Sequence, residues 1–140
     1  MGKVQILAVL TMDGCLSSEL YDKAHQDLCL DRCGLDEIRK KAFYHVTPDY
    51  SISMLHEWRK DCTNIRYLAE ATPDTADYIN GLLRMHAVDE IILYTVPFIS
   101  GSGRHFFKSA LPEQHWTLSS LKSYPNGVCR IIYILDKKAR

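Results

Sequence analysis

The stretch VDEIILYTVPFISGSGRHFF, residues 88–107, decides how this chain is read. An acidic pair, Asp89 and Glu90, precedes a strongly apolar run, and Pro97, Gly101, Gly103, Phe106 and Phe107 follow. The run 88–96 does not alternate with polar residues, which is the pattern of a strand covered on both faces. Proline has no N–H to give to a ladder and ends the strand. The glycines permit positive φ or the close approach of another group. Two readings of that loop stand. It is a tight turn that returns Phe106 and Phe107 to the core, or it brings backbone amides to an anion, since open α/β sheets bind ligands beyond the carboxyl ends of their parallel strands.

Working outward, TPDTADYINGLLRMHA (72–87) predicts a helix, with Thr72 as N-cap, Pro73 at the first helical position, Asp74 in the first turn and an apolar face of Ile79, Leu82 and Leu83. NIRYLAEA (64–71) reads as a strand, so 64–97 forms a βαβ unit with parallel strands and a right-handed crossover. Downstream, WTLSSLKSY and VCRIIYIL flank PNG, where Asn126 and Gly127 suit a tight hairpin turn, predicting an antiparallel pair. Upstream, 3–11 is nearly continuous Val, Ile and Leu and belongs at the centre of the sheet. Ser17 and Ser18 are caps for a helix through ELYDKAHQDLCL, and LDEIRKKA (35–42) is a second helical segment. AFYHVT is a short strand ended by Pro48, and SISMLHEWRKDC carries Ile52, Leu55 and Trp58 at helical spacing. The expected fold is a single α/β domain over 1–140, a three-layer sandwich whose mixed, mostly parallel sheet is flanked by helices and closed by a C-terminal antiparallel hairpin.

Composition narrows the function classes. A chain of 140 residues fits one core and buries roughly two-thirds of the surface its unfolded form exposes. With 17 basic and 17 acidic residues it has no net charge, and no basic cluster exceeds RKK (39–41) or the tail KKAR, so no nucleic-acid partner is expected. The apolar start MGKVQILAVL is too short for a membrane span and lacks a cleavage pattern, so no membrane association is expected. Cys15, Cys29, Cys33, Cys62 and Cys129 contain no CxxC and suit reduced thiols in a cytoplasm. His25, Cys29 and Cys33 fall at i, i+4 and i+8, either as ligands of a soft metal or as small buried residues, and no fourth ligand stands at fixed spacing. The sequence has no GxSxG, HExxH or Walker-type loop. Among the scattered histidines, only His105 adjoins the glycine loop. Tyr44, Tyr50 and Tyr94 are either pocket-lining or core residues.

The order of the parts carries a resemblance. AVLTMDGCLS (8–17), in which an apolar strand ends in a small acidic turn, and VDEIILYTVPFISGSGRHFF much later together resemble the dihydrofolate reductase superfamily, and within it the reductase domain of riboflavin-biosynthesis deaminase-reductases. Thr11, Met12, Asp13 and Gly14 match that family's Ser-Leu-Asp-Gly-like turn, and Val88, Asp89, Glu90, Pro97, Gly101, Gly103 and Phe106 match its later strand and loop. The resemblance implies a homodimer, NADPH as cofactor, and hydride transfer to a pteridine-like or pyrimidine substrate. It places Thr11, Asp13 and Gly14 at the substrate, and Gly101 and Gly103 at the cofactor. Read from the residues alone, Asp13 and Gly14 equally make a plain turn with the Asp side chain bonded to its own backbone.

Two departures concern the nucleotide. Where the family has a Gly-Gly pair for the cofactor phosphates, this chain has Thr72, Pro73, Asp74 and Thr75; Pro73 removes an amide donor and Asp74 sets a carboxylate where a phosphate would lie. The family's Gly-Arg-x-Thr-like strand end is missing from 35–62, leaving Thr47 as the contact for the nucleotide with Asp49 opposing it. Arg66 and Arg104 are the basic residues available to compensate. Two functions follow. One is an NADPH-dependent reductase with an altered cofactor site. The other is a catalytically inactive reductase-fold module that binds a small ligand, a nucleotide or a second copy of itself.

Overall fold

The computed structural model describes residues 2–16, 33–61, 65–97, 99, 101, 105–108 and 111–135. The helix expected from Ser17 and Ser18, and with it His25 and Cys29, lies outside them. Strand β1 (Lys3–Leu10) is followed by helix α1 (Leu35–Lys41), strand β2 (Tyr44–His45), helix α2 (Ile52–Asp61), strand β3 (Arg66–Glu70), helix α3 (Ala76–Arg84), and strands β4 (Glu90–Thr95), β5 (Trp116–Ser123) and β6 (Cys129–Leu135). They build one sheet in the order β2-β3-β1-β4-β6-β5. β2, β3, β1 and β4 run parallel, while β6 is antiparallel to both β4 and β5.

β1 is central because nothing else suits its composition. All its residues but Lys3 are buried, and only a strand paired on both edges and covered on both faces buries so continuous an apolar run. The pleat divides it. Val4, Ile6, Ala8 and Leu10 pack in one core with Leu55 of α2 and Ile79, Leu82 and Leu83 of α3, while Leu7 and Val9 pack in the other with Leu35 of α1 and Ile92 and Tyr94 of β4. Two apolar cores on opposite faces of one sheet are the three-layer arrangement expected.

Several boundaries differ from the sequence reading, each for a local reason. The helix expected from Thr72 starts at Ala76, with Thr75 at its N-cap. Thr72 N–H donates to Thr75 Oγ1 (2.8 Å), Thr75 N–H donates to Thr72 Oγ1 (3.2 Å), and the Thr75 hydroxyl donates to Glu70 O (2.8 Å). The two hydroxyls thus close a turn that excludes Pro73 and Asp74 from the helix. The strand expected over 42–47 shortens to two residues at the sheet edge. In the C-terminal hairpin, Gly127 has φ 90° and its N–H donates to Tyr124 O (3.0 Å), while Asn126 Oδ1 accepts from Val128 N–H (3.2 Å).

A polar knot ties the amino ends of the parallel strands. Asp89 Oδ2 accepts from Val4 N–H at 2.9 Å, and its Oδ1 pairs with Arg59 Nη2 at 3.1 Å; Arg59 Nη1 also donates to His86 O at 3.0 Å. Both charged side chains are largely buried, at 12% and 13% exposure. Removing one partner of such a pair leaves an uncompensated charge. Arg59→Met is therefore expected to lower the unfolding free energy in urea by about 3 kcal/mol or more. Adding Asp89→Asn to that variant is expected to restore part of the loss, because the stranded carboxylate disappears.

Candidate functional site

The site is built where β1 and β4 end. Beyond Leu10 the chain makes a small loop, in which Thr11 N–H donates to Cys15 O (2.9 Å) and Gly14 N–H donates to Thr11 O (3.0 Å). Gly14 has φ 80°, the left-handed conformation that glycine adopts without strain. The buried Thr11 hydroxyl accepts from Cys15 N–H (3.1 Å) and donates to Asp13 Oδ1. Asp13 Oδ2 reaches across the chain and accepts from Gly101 N–H at 3.0 Å. The two segments that carry the family resemblance, far apart in sequence, are thus hydrogen-bonded to one another.

A second set of contacts secures the far side of the glycine loop. Cys15 and His105 form an antiparallel bridge, and Phe106 N–H donates to Gly14 O at 3.2 Å. The Cys15 thiol lies 4.0 Å from His105 Nδ1. Phe106 is fully buried, whereas Phe107, expected to pack with it, is 43% exposed. The chain bends at both residues, and the two rings still meet, with centroids 4.8 Å apart. Asn80, buried on α3, donates from Nδ2 to Phe106 O (2.8 Å) and accepts at Oδ1 from Lys108 N–H (3.0 Å). The sequence analysis missed Asn80, although an amide on an apolar helix face, four residues after Ala76 and next to Ile79, is the pattern that reports such a role.

The remaining candidates are dispersed. Thr47 lies beyond β2, is exposed, and accepts from Asp49 N–H at 3.4 Å. Tyr44 stacks on Tyr67, and Tyr50 O accepts from the Tyr78 hydroxyl at 2.7 Å, both on the α2 side. Tyr94 lies in the core on the opposite face, so the three tyrosines line no common pocket. Gly101 has φ 73° and open space around it; Gly103 and Arg104 lie outside the described residues. Arg66 opens β3, and the rise of the strand from Arg66 to Glu70, roughly 13 Å, sets it at the far end from the Thr72 turn, which removes it as a partner for phosphates there. Cys33 is buried, and no group of three or more His, Cys, Asp or Glu side chains suited to a metal occurs among the described residues.

These contacts suit one end of a dinucleotide and not the other. Its ring end fits: Gly14 and Gly101 present backbone without side chains at the tips of β1 and β4. The phosphate end does not. The N–H groups of Thr72 and Thr75 are bonded to each other's hydroxyls, and Asp74 is exposed on the same turn. The arginine near the end of β3 is Arg39, missed in the sequence, and its Nε and Nη2 both bind Glu70 Oε1, at 3.0 and 2.7 Å.

On the other face, the Tyr94 and Tyr124 hydroxyls both donate to Cys33 O, at 2.8 and 2.7 Å. Burial raises the Tyr94 phenol above its ordinary value of 10.0, and raises Tyr124 and Tyr78 in the same direction. A phenol whose pKa is raised by folding contributes stability that is whole below the unfolded value and is lost as pH climbs toward the folded one. Stability is therefore expected to hold up to about pH 10 and fall above it. In Tyr94→Phe the fall should be shallower, leaving the share of the other two phenols, at a cost of about 1 kcal/mol at neutral pH for the lost hydrogen bond. Denaturant melts across the alkaline range check both. Thr11→Val strands the buried Cys15 N–H and frees Asp13, so it is expected to cost about 1–3 kcal/mol in the same melts.

No family model matches the chain, and no curated protein matches it by sequence. Solved structures do. A protein of Shewanella sp. PV-4 assigned to riboflavin biosynthesis superposes with a TM-score of 0.59 at 10% identity, over 96% of this chain and 99% of its own. Acinetobacter baumannii RibD gives 0.59 at 14% identity over 97% of this chain, which spans 58% of that longer protein. The Saccharomyces cerevisiae riboflavin biosynthesis reductase Rib7 gives 0.52 at 13% identity, over 97% of this chain and 89% of its own. With its mixed sheet, its flanking helices and its antiparallel β4-β6-β5 end, this chain has the dihydrofolate reductase-like fold of those riboflavin-biosynthesis proteins.

Proposed function

We propose that the chain is a small reductase that transfers a hydride from a nicotinamide dinucleotide to an electron-poor C=N or C=O bond of a pteridine-like or pyrimidine ring. NADPH is the form that the resemblance implies. The observation that carries the reading is the bond from Gly101 N–H to Asp13 Oδ2, which joins two distant loops over the carboxyl ends of adjacent parallel strands. When bound, the dinucleotide supplies the hydride. The chain's own residues bind and orient. Gly14 admits a planar ring close to the backbone, Thr11 fixes Asp13, and the Asp13 carboxylate borders the substrate. Gly101 would lie beside the cofactor, and Gly103, Thr47, Thr72, Asp74 and Thr75 are the further positions that the sequence offers toward it.

A second reading, an inactive module that keeps the fold and binds a ligand or partner, is favoured by the closed turn at Thr72 and Thr75, whose donors are spent within the chain. Either protein is proposed to act in the cytoplasm as a homodimer. The exposed Leu118 and Leu121 on the edge strand β5 are the surface that suits a second copy.

Titration with NADH and with NADPH, followed by nucleotide fluorescence and melting temperature, separates the readings. A reductase should show saturable binding, with about 2.7 kcal/mol of stabilisation at a hundredfold excess over Kd. No shift at millimolar concentrations of either would establish the module instead.

A further inference from the structure

We propose that the amino end of the sheet, where α1 leads into β2, is a docking surface for an extended acidic segment of a partner protein, which adds along the open edge of β2.

Three cations far apart in sequence meet there. Lys3 opens β1 and Arg66 opens β3, and the two are register partners, which sets their Cα atoms about 5 Å apart. Val4, Ile6, Tyr67 and Ala69 face the core with α2 and α3, while Leu7, Val9 and Leu68 face the core with α1. By alternation, Lys3 and Arg66 both turn to the α1 side. Phe43 N–H donates to Arg66 O at 2.9 Å, and Lys41, the last residue of α1, lies only two positions before that bond. Lys3, Lys41 and Arg66 are exposed, and none of them makes an ion pair among the described residues.

Carboxylates on the neighbouring elements are engaged elsewhere. Within the run 39–41, Arg39 is held by Glu70 at 2.7 Å and Lys40 by Asp36 at 3.2 Å, which leaves Lys41 over. Asp89 pairs with Arg59 at 3.1 Å, and Glu90 accepts from Gln5 Nε2 at 3.1 Å. Like charges directly opposite in a ladder destabilise a sheet. The fold therefore gains nothing from setting Lys3 beside Arg66, and a break of a local rule without a structural return is expected where a chain has a function.

An apolar element stands beside the cations. Phe43 is 68% exposed and Tyr44 40%. Phe43 meets Tyr44 edge-on at 4.9 Å, Tyr44 stacks on the buried Tyr67 at 5.4 Å, and Tyr67 stacks in turn on Trp58 at 6.1 Å. The exposed rings thus rest on a fixed aromatic base, and rings already held lose little freedom on contact. β2 ends the sheet and is paired with β3 alone, so its outer edge is open to a further strand.

These features together select the partner. Cations without counter-charges suit acidic side chains, and an open strand edge suits a backbone that carries both donors and acceptors. A peptide has both. A phosphate chain and a bilayer lack the second, and three cations on a chain of zero net charge make too small a field to hold either.

The test is fluorescence anisotropy with a labelled short peptide of alternating glutamate and valine. Its lysine-valine counterpart, its backbone N-methylated form, an oligothymidylate of equal charge and phosphatidylserine vesicles are compared with it. The glutamate-valine peptide is expected to bind saturably, and to lose about tenfold in affinity as salt rises from about 50 to about 200 mM, because the shorter Debye length screens the cations. Lys41→Glu and Arg66→Glu should each weaken it about fivefold or more, and Phe43→Ser about threefold. Lys122→Glu makes the same change in net charge on β5, at the opposite edge of the sheet, and should leave binding unchanged. The proposal is overturned by no binding at low salt or by an equal loss in Lys122→Glu. It is overturned equally if the lysine-valine or N-methylated peptide binds as well, or if the oligothymidylate or the vesicles bind more tightly. Should Arg66→Glu fail to fold, Lys41→Glu at the exposed end of α1 decides by itself.

Discussion

The burial of β1 is the constraint on which the rest of the molecule depends. A strand with seven consecutive buried residues must have a neighbour on each edge and a layer on each face, or it leaves backbone groups and apolar side chains in water. β3 and β4 supply the edges, and α1, α2 and α3 supply the layers. Because both neighbours run parallel to it, each must return by a crossover, and the carboxyl ends of all three strands come out at one side of the sheet. The site stands at that side for this reason. Val96 N–H donates to Leu10 O and Ala71 N–H donates to Leu7 O, so the chain leaving β4 and the chain leaving β3 are each fixed to β1 at a different height. The step between those heights is the space that the proposed ligand would take.

Among the described residues, single hydrogen bonds join the loops around the candidate site. Asp13 holds Gly101 at one end of the glycine loop, and Asn80 holds Phe106 and Lys108 at the other. Phe106 between them is anchored in the core. Such bonds contribute about 1 kcal/mol each when made, and more when a buried partner is left without its mate. The loop is therefore pinned at its ends by groups whose loss would be felt, while Gly101 itself faces open space.

Much of this was legible because it is periodic or local. Continuous apolar runs marked β1 and β4, the Pro-Asn-Gly turn marked the terminal hairpin, and two glycine-bearing segments marked the loops that the bond from Gly101 N–H to Asp13 joins. The misreadings were of a different kind. Thr72 and Thr75 are equally good caps by composition, and only the reciprocal bonds between their hydroxyls and N–H groups put the helix start at the second. Arg66 looked close to the phosphate loop because five residues separate them in sequence, but a strand spends those residues on length. Arg39 and Glu70 are 31 positions apart, and nothing in either segment announces the other. Asn80 was visible as a polar residue on an apolar face, yet its partners lie 26 and 28 residues away.

The charge balance of the whole chain hides a local sign. Zero net charge is an average over 17 positive and 17 negative side chains, and it says nothing about the ends of β2 and β3, where Glu70 closes β3 and Asp49 and Asp74 follow the two strands. The arginine there is bound by Glu70 and adds no net positive field. Polar groups that satisfy one another in the free protein also make any ligand compete with them. For the proposed ligand, the local pairing, more than the overall fold, would decide what this sheet edge can hold.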